Sequence, residues 1–370
     1  MSLTETGPPI VDQSRGGISK MEGFHSTKML PLMDFPSAGW RVCVAPMIDV
    51  TDRHCRFFHR LLAPHARLYT EMVTTGALLH GDVARHLDYD DSQHPLALQL
   101  GGSDPAALAH GARLAQQWGY DEVNLNCGCP SDKVQKGAFG ACLMAEPGKV
   151  ADAWKAMRDV VDIPVTIKHR LGLGYDISYE FARDFVGQLF DAGCRVFIVH
   201  ARNAVLEGLS PKDNREIPPL RYDLALQLKR DFPEALFVLN GGIATADQAE
   251  QWLENFDGVM LGRAAWHHPE VLTELSQRLA PQAPALEPEA VVRAMVEYAR
   301  EQTAQGTPLR MIAKPMLGWM GGRPGARRWR RMLSDARLLA ANAPELIEQA
   351  WRTLQPANPV RPPASPEYTL

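Results

Sequence analysis

The chain has 370 residues, 45% of them hydrophobic and 22% charged, a balance that fits an ordinary globular protein and exceeds what one small domain needs. A formal net charge of −4 argues against a nucleic-acid coat protein, although an enzyme needs only a local basic patch to hold a nucleic acid. No apolar run reaches the roughly 18 residues that span a bilayer, and the first residues, with Glu5 and Asp12, lack a secretion signal's apolar core, so no membrane association and a cytoplasmic location are expected.

Along the chain, residues 1–39 mix Gly, Pro, Ser and scattered charge without sustained periodicity and read as a mobile extension. Between residues 40 and 280, short β-branched and aliphatic runs recur, each followed by a stretch with helical spacing. Eight runs are predicted as strands: 42–45, 68–71, 96–100, 122–126, 165–169, 196–200, 237–240 and 258–261. Amphipathic segments such as 105–118, 148–160, 179–192 and 246–254 fall between them. This alternation predicts an α/β fold, a closed (β/α)8 TIM barrel, in preference to an open doubly wound sheet.

From residue 281 the strand pattern stops. Residues 281–288 read as a linker, and 290–303 and 328–341 have helical spacing, so 281–355 is predicted as a small helical domain. The proline-rich residues 356–370 read as a second mobile end. The cysteines, Cys43, Cys55, Cys127, Cys129, Cys142 and Cys194, include no C-x-x-C pair. Free thiols are expected, with neither a disulfide framework nor a zinc cage, and no metal site.

In such a barrel the active site is built where strands end. The first predicted strand runs into Pro46, Met47, Ile48 and Asp49; the third supplies Gln99; the fourth ends in Asn126-Cys127-Gly128-Cys129-Pro130. Lys168 and Arg170 share one face of the fifth strand, and His200, Arg202 and Asn203 follow the sixth. The seventh ends in Asn240, Gly241 and Gly242 and the eighth in Gly262 and Arg263, a combination that suits a phosphate. A cation such as Lys168 near a flavin's pyrimidine edge would stabilise the reduced ring, and His200 would donate to the same ring or phosphate. Blander readings stand beside these: glycines that only turn the chain, a lysine at the rim, a core histidine and small buried thiols. Reduction of an activated C=C bond needs hydride at one carbon and a proton at the other, and a positioned thiol is one acid that can give the proton.

Seven positive residues and no acidic one lie between Arg310 and Arg331: Arg310, Lys314, Arg323, Arg327, Arg328, Arg330 and Arg331. Trp329, Met332, Leu333 and Ala336 form an apolar stripe, which leaves Arg327 and Arg331 on the opposite face. The run reads either as a solvated face or as a surface for RNA phosphates.

These motifs together resemble the tRNA-dihydrouridine synthases, most closely their bacterial A subfamily. The resemblance spans about residues 41–340 and is carried by A-P-M-I-D-V-T-D from Ala45, L-Q-L-G-G from Leu98, N-C-G-C-P-S from Asn126, V-Q-K-G-A-F-G-A-C-L-M from Val134, I-K-H-R from Ile167, V-H-A-R-N-A from Val199, S-P-K-D-N-R-E-I-P-P-L from Ser210 and L-N-G-G-I from Leu239. It implies a flavin-bearing barrel followed by a helical tRNA-binding domain, with FMN as cofactor, NADPH as reductant and the tRNA D-loop, at positions 20 and 20a, as substrate. Pro46, Met47 and Ile48 would line the flavin ring; Gln99, Lys168 and His200 would contact it; Asn240, Gly241, Gly242, Gly262 and Arg263 would hold its phosphate. The proton donor in the family is the cysteine before proline, here Cys129; another residue commonly stands where this chain has Cys127. Asn126 would touch the extruded uracil, and Lys212 and Arg215, with Arg327 and Arg330, would meet the tRNA. A monomer is expected.

Three rival readings remain at this point. One is a flavin-dependent reductase of small molecules, for which the basic helical tail has no purpose. Another is an aldolase in which Lys168 forms a Schiff base. The third is a non-catalytic RNA-binding protein with the barrel as scaffold.

Overall fold

The computed structural model describes residues 38–131, 134–135, 137–175, 178–282 and 287–354. The predicted mobile tail, 356–370, and all but the last two residues of the predicted extension lie outside them. Eight parallel strands form the barrel: β1 (Val42–Val44), β2 (Leu68–Thr74), β3 (Leu96–Gly101), β4 (Glu122–Cys127), β5 (Val165–Arg170), β6 (Val196–His200), β7 (Leu236–Asn240) and β8 (Gly258–Leu261). The ladder runs β1-β8-β7-β6-β5-β4-β3-β2. The ring closes between β1 and Arg67, the residue before β2, by Val44 N–H donating to Arg67 at 2.9 Å and Arg67 N–H donating to Val42 at 2.8 Å. Each predicted strand is present; β2 runs three residues further than its sequence pattern because a register shift between Tyr69 and Met72 breaks the alternation.

The helices between strands start where the sequence supplies a side-chain acceptor. Asp52, Asp104, Ser178 and Thr245 accept the amides of Cys55, Ala107, Phe181 and Gln248 and open the helices Arg53–Leu62, Pro105–Gln117, Tyr179–Asp191 and Ala246–Trp252. Period-two alternation then sorts the strand residues into two cores. Outward residues such as Leu98, Leu125, Ile167, Phe197 and Phe237 pack under the helices. Inward residues Cys43, Ala45, Tyr69, Ala97, Ile198, Val238 and Met260 fill the barrel lumen. Each large side chain fully buried in this way contributes about 1.5–3 kcal/mol.

After β8 come Glu270–Leu279, the long helix Pro288–Ala304, and the shorter Leu309–Ala313, Ala326–Ser334, Ala336–Ala340 and Glu345–Arg352. Their apolar residues share one continuous core with the barrel. Trp319 meets Phe58 of the first barrel helix edge-on with ring centres 5.5 Å apart, and stacks on Trp351 at 6.3 Å. The single helix predicted over 328–341 is two. Asp335 breaks it by accepting the amides of Arg337 and Leu338 as the cap of a new helix. Trp329 and Leu333 are buried as the stripe requires, whereas Ala336, past the break, is exposed. Among the described residues, no helix is long and apolar enough to cross a membrane.

Candidate functional site

The strand ends converge on one mouth, and most of its polar groups are already committed to one another. Asn126 uses its carbonyl and one of its two N–H donors for positioning. Its carbonyl accepts the backbone N–H groups of Gly128 (3.1 Å) and Cys129 (3.0 Å), while its NH2 donates to Gln99 at 2.9 Å. That closes the turn which carries Cys129. The carbonyl of Cys129 accepts the amide of Ala141 at 2.9 Å, a contact that needs Gly140: at φ +77°, a Cβ on that residue would sit 2.6 Å from the same oxygen. Gln135 ties this loop to the next by donating to Pro130 at 2.8 Å and to Leu206 at 2.9 Å.

The two thiols of the turn go opposite ways. Cys127 is fully buried in the outer core, and burial drives its pKa far up. Cys129 is half-buried with its sulfur 3.5 Å from the Ser131 hydroxyl, in the neighbourhood of the cationic side chains Lys168, Arg170 and Arg215. Of the two, only Cys129 is available to chemistry at the mouth.

Lys168 donates to the Asn240 carbonyl at 3.1 Å, and Asn240 in turn donates to Met260 at 2.7 Å. Burial, then Arg170, lowers the Lys168 ammonium to about 7. The residue still keeps part of its surface open to the mouth, so an anionic occupant would raise the value again. An imine-forming lysine needs the same depression, so Lys168 by itself does not choose between the two chemistries. His200 is held well below its ordinary value by burial and by Arg170, Lys168, Arg202 and Arg215. Five cationic side chains (Lys168, Arg170, Arg202, Arg215 and Arg263) thus gather around one opening, a setting that an anion relieves.

Gly241 and Gly242, with φ of +108° and +72°, bend the chain around His200. A Cβ at Gly241 would lie 2.6 Å from a His200 ring carbon, and one at Gly242 2.5 Å from Leu220 and 2.6 Å from the Tyr222 hydroxyl. The cradle therefore accepts backbone alone. Arg263 stands at its rim, paired with Glu216 at 2.8 Å and donating to the Arg215 carbonyl at 3.2 Å. Gly262 lies close behind Met47. Pro46 and Met47 are half-buried, and Ile48 is 53% exposed.

Arg170, which shares the face of Lys168 as strand parity predicts, is an internal clamp. It donates to the carbonyls of Gly128 (3.0 Å), Asn203 (2.7 Å) and Asn214 (2.9 Å), and burial lowers it to about 10. Arg202 similarly holds the carbonyls of Glu216 and Pro218. Together with Asn214, which exchanges two 2.8 Å bonds with Val205, these residues give the loop after β6 a fixed shape. The exposed Lys212 and Arg215 ride on that loop.

Sequence reasoning missed how the rim is held. Lys314 donates to the carbonyl of Asp49 at 2.7 Å, and Asp49, a non-glycine at φ +62°, donates its amide to Glu71 at 2.5 Å. Burial raises the Glu71 carboxyl. The basic segment therefore begins at the loop that borders the mouth. Arg323, Arg327, Arg328, Arg330 and Arg331 are exposed and make no ion pair among the described residues. Also among the described residues, no group of three or more His, Cys, Asp or Glu side chains could hold a metal ion.

Comparison with known proteins follows the same lines. The dihydrouridine synthase family pattern matches residues 43–355. The chain is 54% identical over 332 residues to a tRNA-dihydrouridine(20/20a) synthase of Pseudomonas syringae pv. tomato, covering 90% of this chain and 97% of that relative. A protein of the same name from Escherichia coli K12 is 51% identical over 338 residues, 91% of this chain and 98% of its own length. Another from Xanthomonas axonopodis pv. citri is 53% identical over 314 residues, 85% and 94% of the two chains. With its barrel, its cysteine turn and agreement over almost its whole described length, the chain belongs to the dihydrouridine synthase family.

Proposed function

We propose that this chain reduces the C5=C6 bond of the D-loop uridines 20 and 20a of tRNA, with FMN as cofactor, NADPH as reductant and Cys129 as proton donor. The observation that carries this reading is the near full-length identity to proteins that bear that activity in their name. The mouth fits FMN on its own terms: a glycine cradle that a Cβ would fill, a ring of cations and a histidine kept neutral beside them all suit a phosphate and an anionic ring edge. Asn240, Gly241, Gly242, Gly262 and Arg263 would hold the phosphate, Lys168, His200 and Gln99 would contact the ring, and Pro46, Met47 and Ile48 would line it. Bound there, FMN re-reduced by NADPH supplies the hydride.

The chain's own residues supply the rest. A uracil stacked in folded RNA does not reach the mouth, so it must be extruded at a cost of a few kcal/mol. The exposed Lys212, Arg215, Arg327 and Arg330 would meet the tRNA backbone, with Asn126 beside the extruded base. Hydride addition at one ring carbon leaves negative charge that a proton on the neighbouring carbon discharges. Cys129 Sγ gives that proton, and the resulting thiolate is balanced by Lys168 and Arg215 until solvent restores it.

The test uses tRNA from a strain that lacks these dihydrouridines. The purified protein is expected to show an oxidised flavin spectrum and to form dihydrouridine at both positions with NADPH. Cys129→Ala is expected to lose about 10²–10⁴-fold in rate with flavin content and NADPH-driven flavin reduction unchanged, and Cys127→Ala is expected to keep the rate. A Cys129→Ala protein of normal rate, or one in which Cys127→Ala alone stops turnover with flavin bound, sinks the assignment.

A further inference from the structure

The lumen of a barrel is filled by side chains, and here one column of them is polar from floor to mouth. On β4, Glu122, Asn124 and Asn126 alternate and so share the inward face. The parallel register sets Gln99, Asn124 and Thr166 level with one another on β3, β4 and β5. All five are buried: Glu122, Asn124 and Thr166 completely, Gln99 and Asn126 almost so. Such groups must find partners inside the protein.

Their hydrogen bonds form one chain with a single sense. Asn126 donates to Gln99 at 2.9 Å, Gln99 to Asn124 at 2.7 Å, Asn124 to the Thr166 hydroxyl at 2.7 Å, and Thr166 to a carboxylate oxygen of Glu122. Each link is reversible in isolation, because an amide can rotate and a hydroxyl both donates and accepts. The two ends are not reversible. At the floor, Glu122 also receives the Tyr69 hydroxyl at 2.9 Å and the Trp40 indole N–H at 2.7 Å, and faces Arg67 at 3.3 Å. Indole and guanidinium only donate. At the mouth, the Asn126 carbonyl receives the backbone N–H groups of Gly128 and Cys129, which also only donate. Both ends demand acceptors in the same direction, and the observed sense is the one that satisfies them together.

We propose that Glu122 is a positioning residue for the Cys129 turn, acting through Thr166, Asn124, Gln99 and Asn126. A carboxylate at the floor fixes the Thr166 hydrogen downward, which turns each amide above it the same way and leaves the Asn126 carbonyl facing the turn. If the sense reversed, the Asn126 NH2 would meet two backbone N–H groups, and the turn would lose both bonds. The relay also fixes which lone pair and N–H of Gln99 remain toward the mouth. In a closed, low-dielectric lumen such aligned bonds reinforce one another. The consequence for catalysis rests on Cys129 being the proton donor; the structural claim does not.

Glu122→Gln keeps the shape but places an NH2 either against Trp40 and Arg67 or against Thr166, and the second choice reverses the chain. Thr166→Val cuts the chain with little change of volume, whereas Thr166→Ser keeps the hydroxyl. Hydrogen exchange of the 126–131 segment, measured by mass spectrometry on the flavin-loaded protein, reads the two turn bonds directly. Exchange is expected to quicken about five- to thirty-fold in Glu122→Gln and Thr166→Val, the effect of losing one or two such bonds, and to stay near wild type in Thr166→Ser. Single-turnover tRNA reduction should fall in the same two variants while flavin reduction by NADPH holds. Unchanged exchange in Thr166→Val overturns the relay whatever the rate does, as does a Thr166→Ser protein as impaired as Thr166→Val. Quickened exchange at an unchanged tRNA rate upholds the relay and counts against Cys129 as donor, so the two ideas fail separately.

Discussion

The barrel mouth and the outer face of the helix Ala326–Ser334 are both rich in arginine, yet the residues do opposite things. In the mouth, Arg170 and Arg202 are buried and each holds backbone carbonyls of loops that border the site. On the helix, Arg327, Arg328, Arg330 and Arg331 are exposed and without ion pairs among the described residues. Desolvation makes the first kind costly and therefore tolerable only in fixed geometry. Water makes the second kind cheap, weak and free to follow a polyanion. Charge type alone does not separate a scaffold from a binding surface; solvation does.

The same substitution at one site of each kind should break this symmetry most visibly. Arg170→Met orphans three carbonyls at roughly 1–3 kcal/mol for each that water does not reach, so a loss on the order of 3 kcal/mol is expected in urea unfolding. Arg327→Met should stay within about 0.5 kcal/mol of wild type. Equal losses would erase the distinction.

A smaller effect sharpens it. Lys168 is lowered from its ordinary value to about 7 in the folded protein, so between that pH and its ordinary value the unfolded chain holds a proton that the folded chain releases. Stability must then rise with pH across the window. In flavin-stripped Lys168→Met the rise should be shallower than in wild type, as urea midpoints at the two ends of the window would show; parallel curves would mean that Lys168 is not desolvated.

The smallest effect belongs to the exposed face. Arg327→Glu should weaken tRNA binding several-fold without changing flavin content. It should also make the log–log salt dependence shallower by about 0.7–0.9 for each phosphate that the arginine no longer neutralises. Unchanged affinity and slope would leave the arginine as mere solvated surface.

What the sequence made legible was whatever repeats locally. Strands β3 to β8 and their ends were readable because hydrophobic alternation stops where polar residues such as Gln99, Lys168 and Asn240 begin. The polar column was also written in the alternation of Glu122, Asn124 and Asn126, but its direction depends on Arg67 and Tyr69, brought beside it by the pairing of β2 with β3, and on Trp40, which reaches it only through the closed ring. Strand parity put Arg170 on the face of Lys168 but could not show that its partners are three backbone carbonyls, because parity gives a side chain's face and not its partners. The Lys314 strap onto Asp49 joins residues 265 apart in the chain, beyond any local pattern. Asp335 broke a predicted helix through a cap that competes with helical spacing wherever an acidic side chain meets two free amides.

The seam of the ring has a consequence for the order of assembly. Of the described strands β1 is the first to leave the ribosome, but its ladder partner is β8, the last, and its other backbone pairing among the described residues is the short bridge at Arg67. The first stave therefore gains its ladder partner only when the whole barrel sequence has been made and the longest loop in the fold can close. Until that moment the Trp40 indole has no ring to hold it against Glu122. Ring closure and completion of the polar column are thus one late event, and a chaperone that shields nascent β1 would act on the step that finishes the interior.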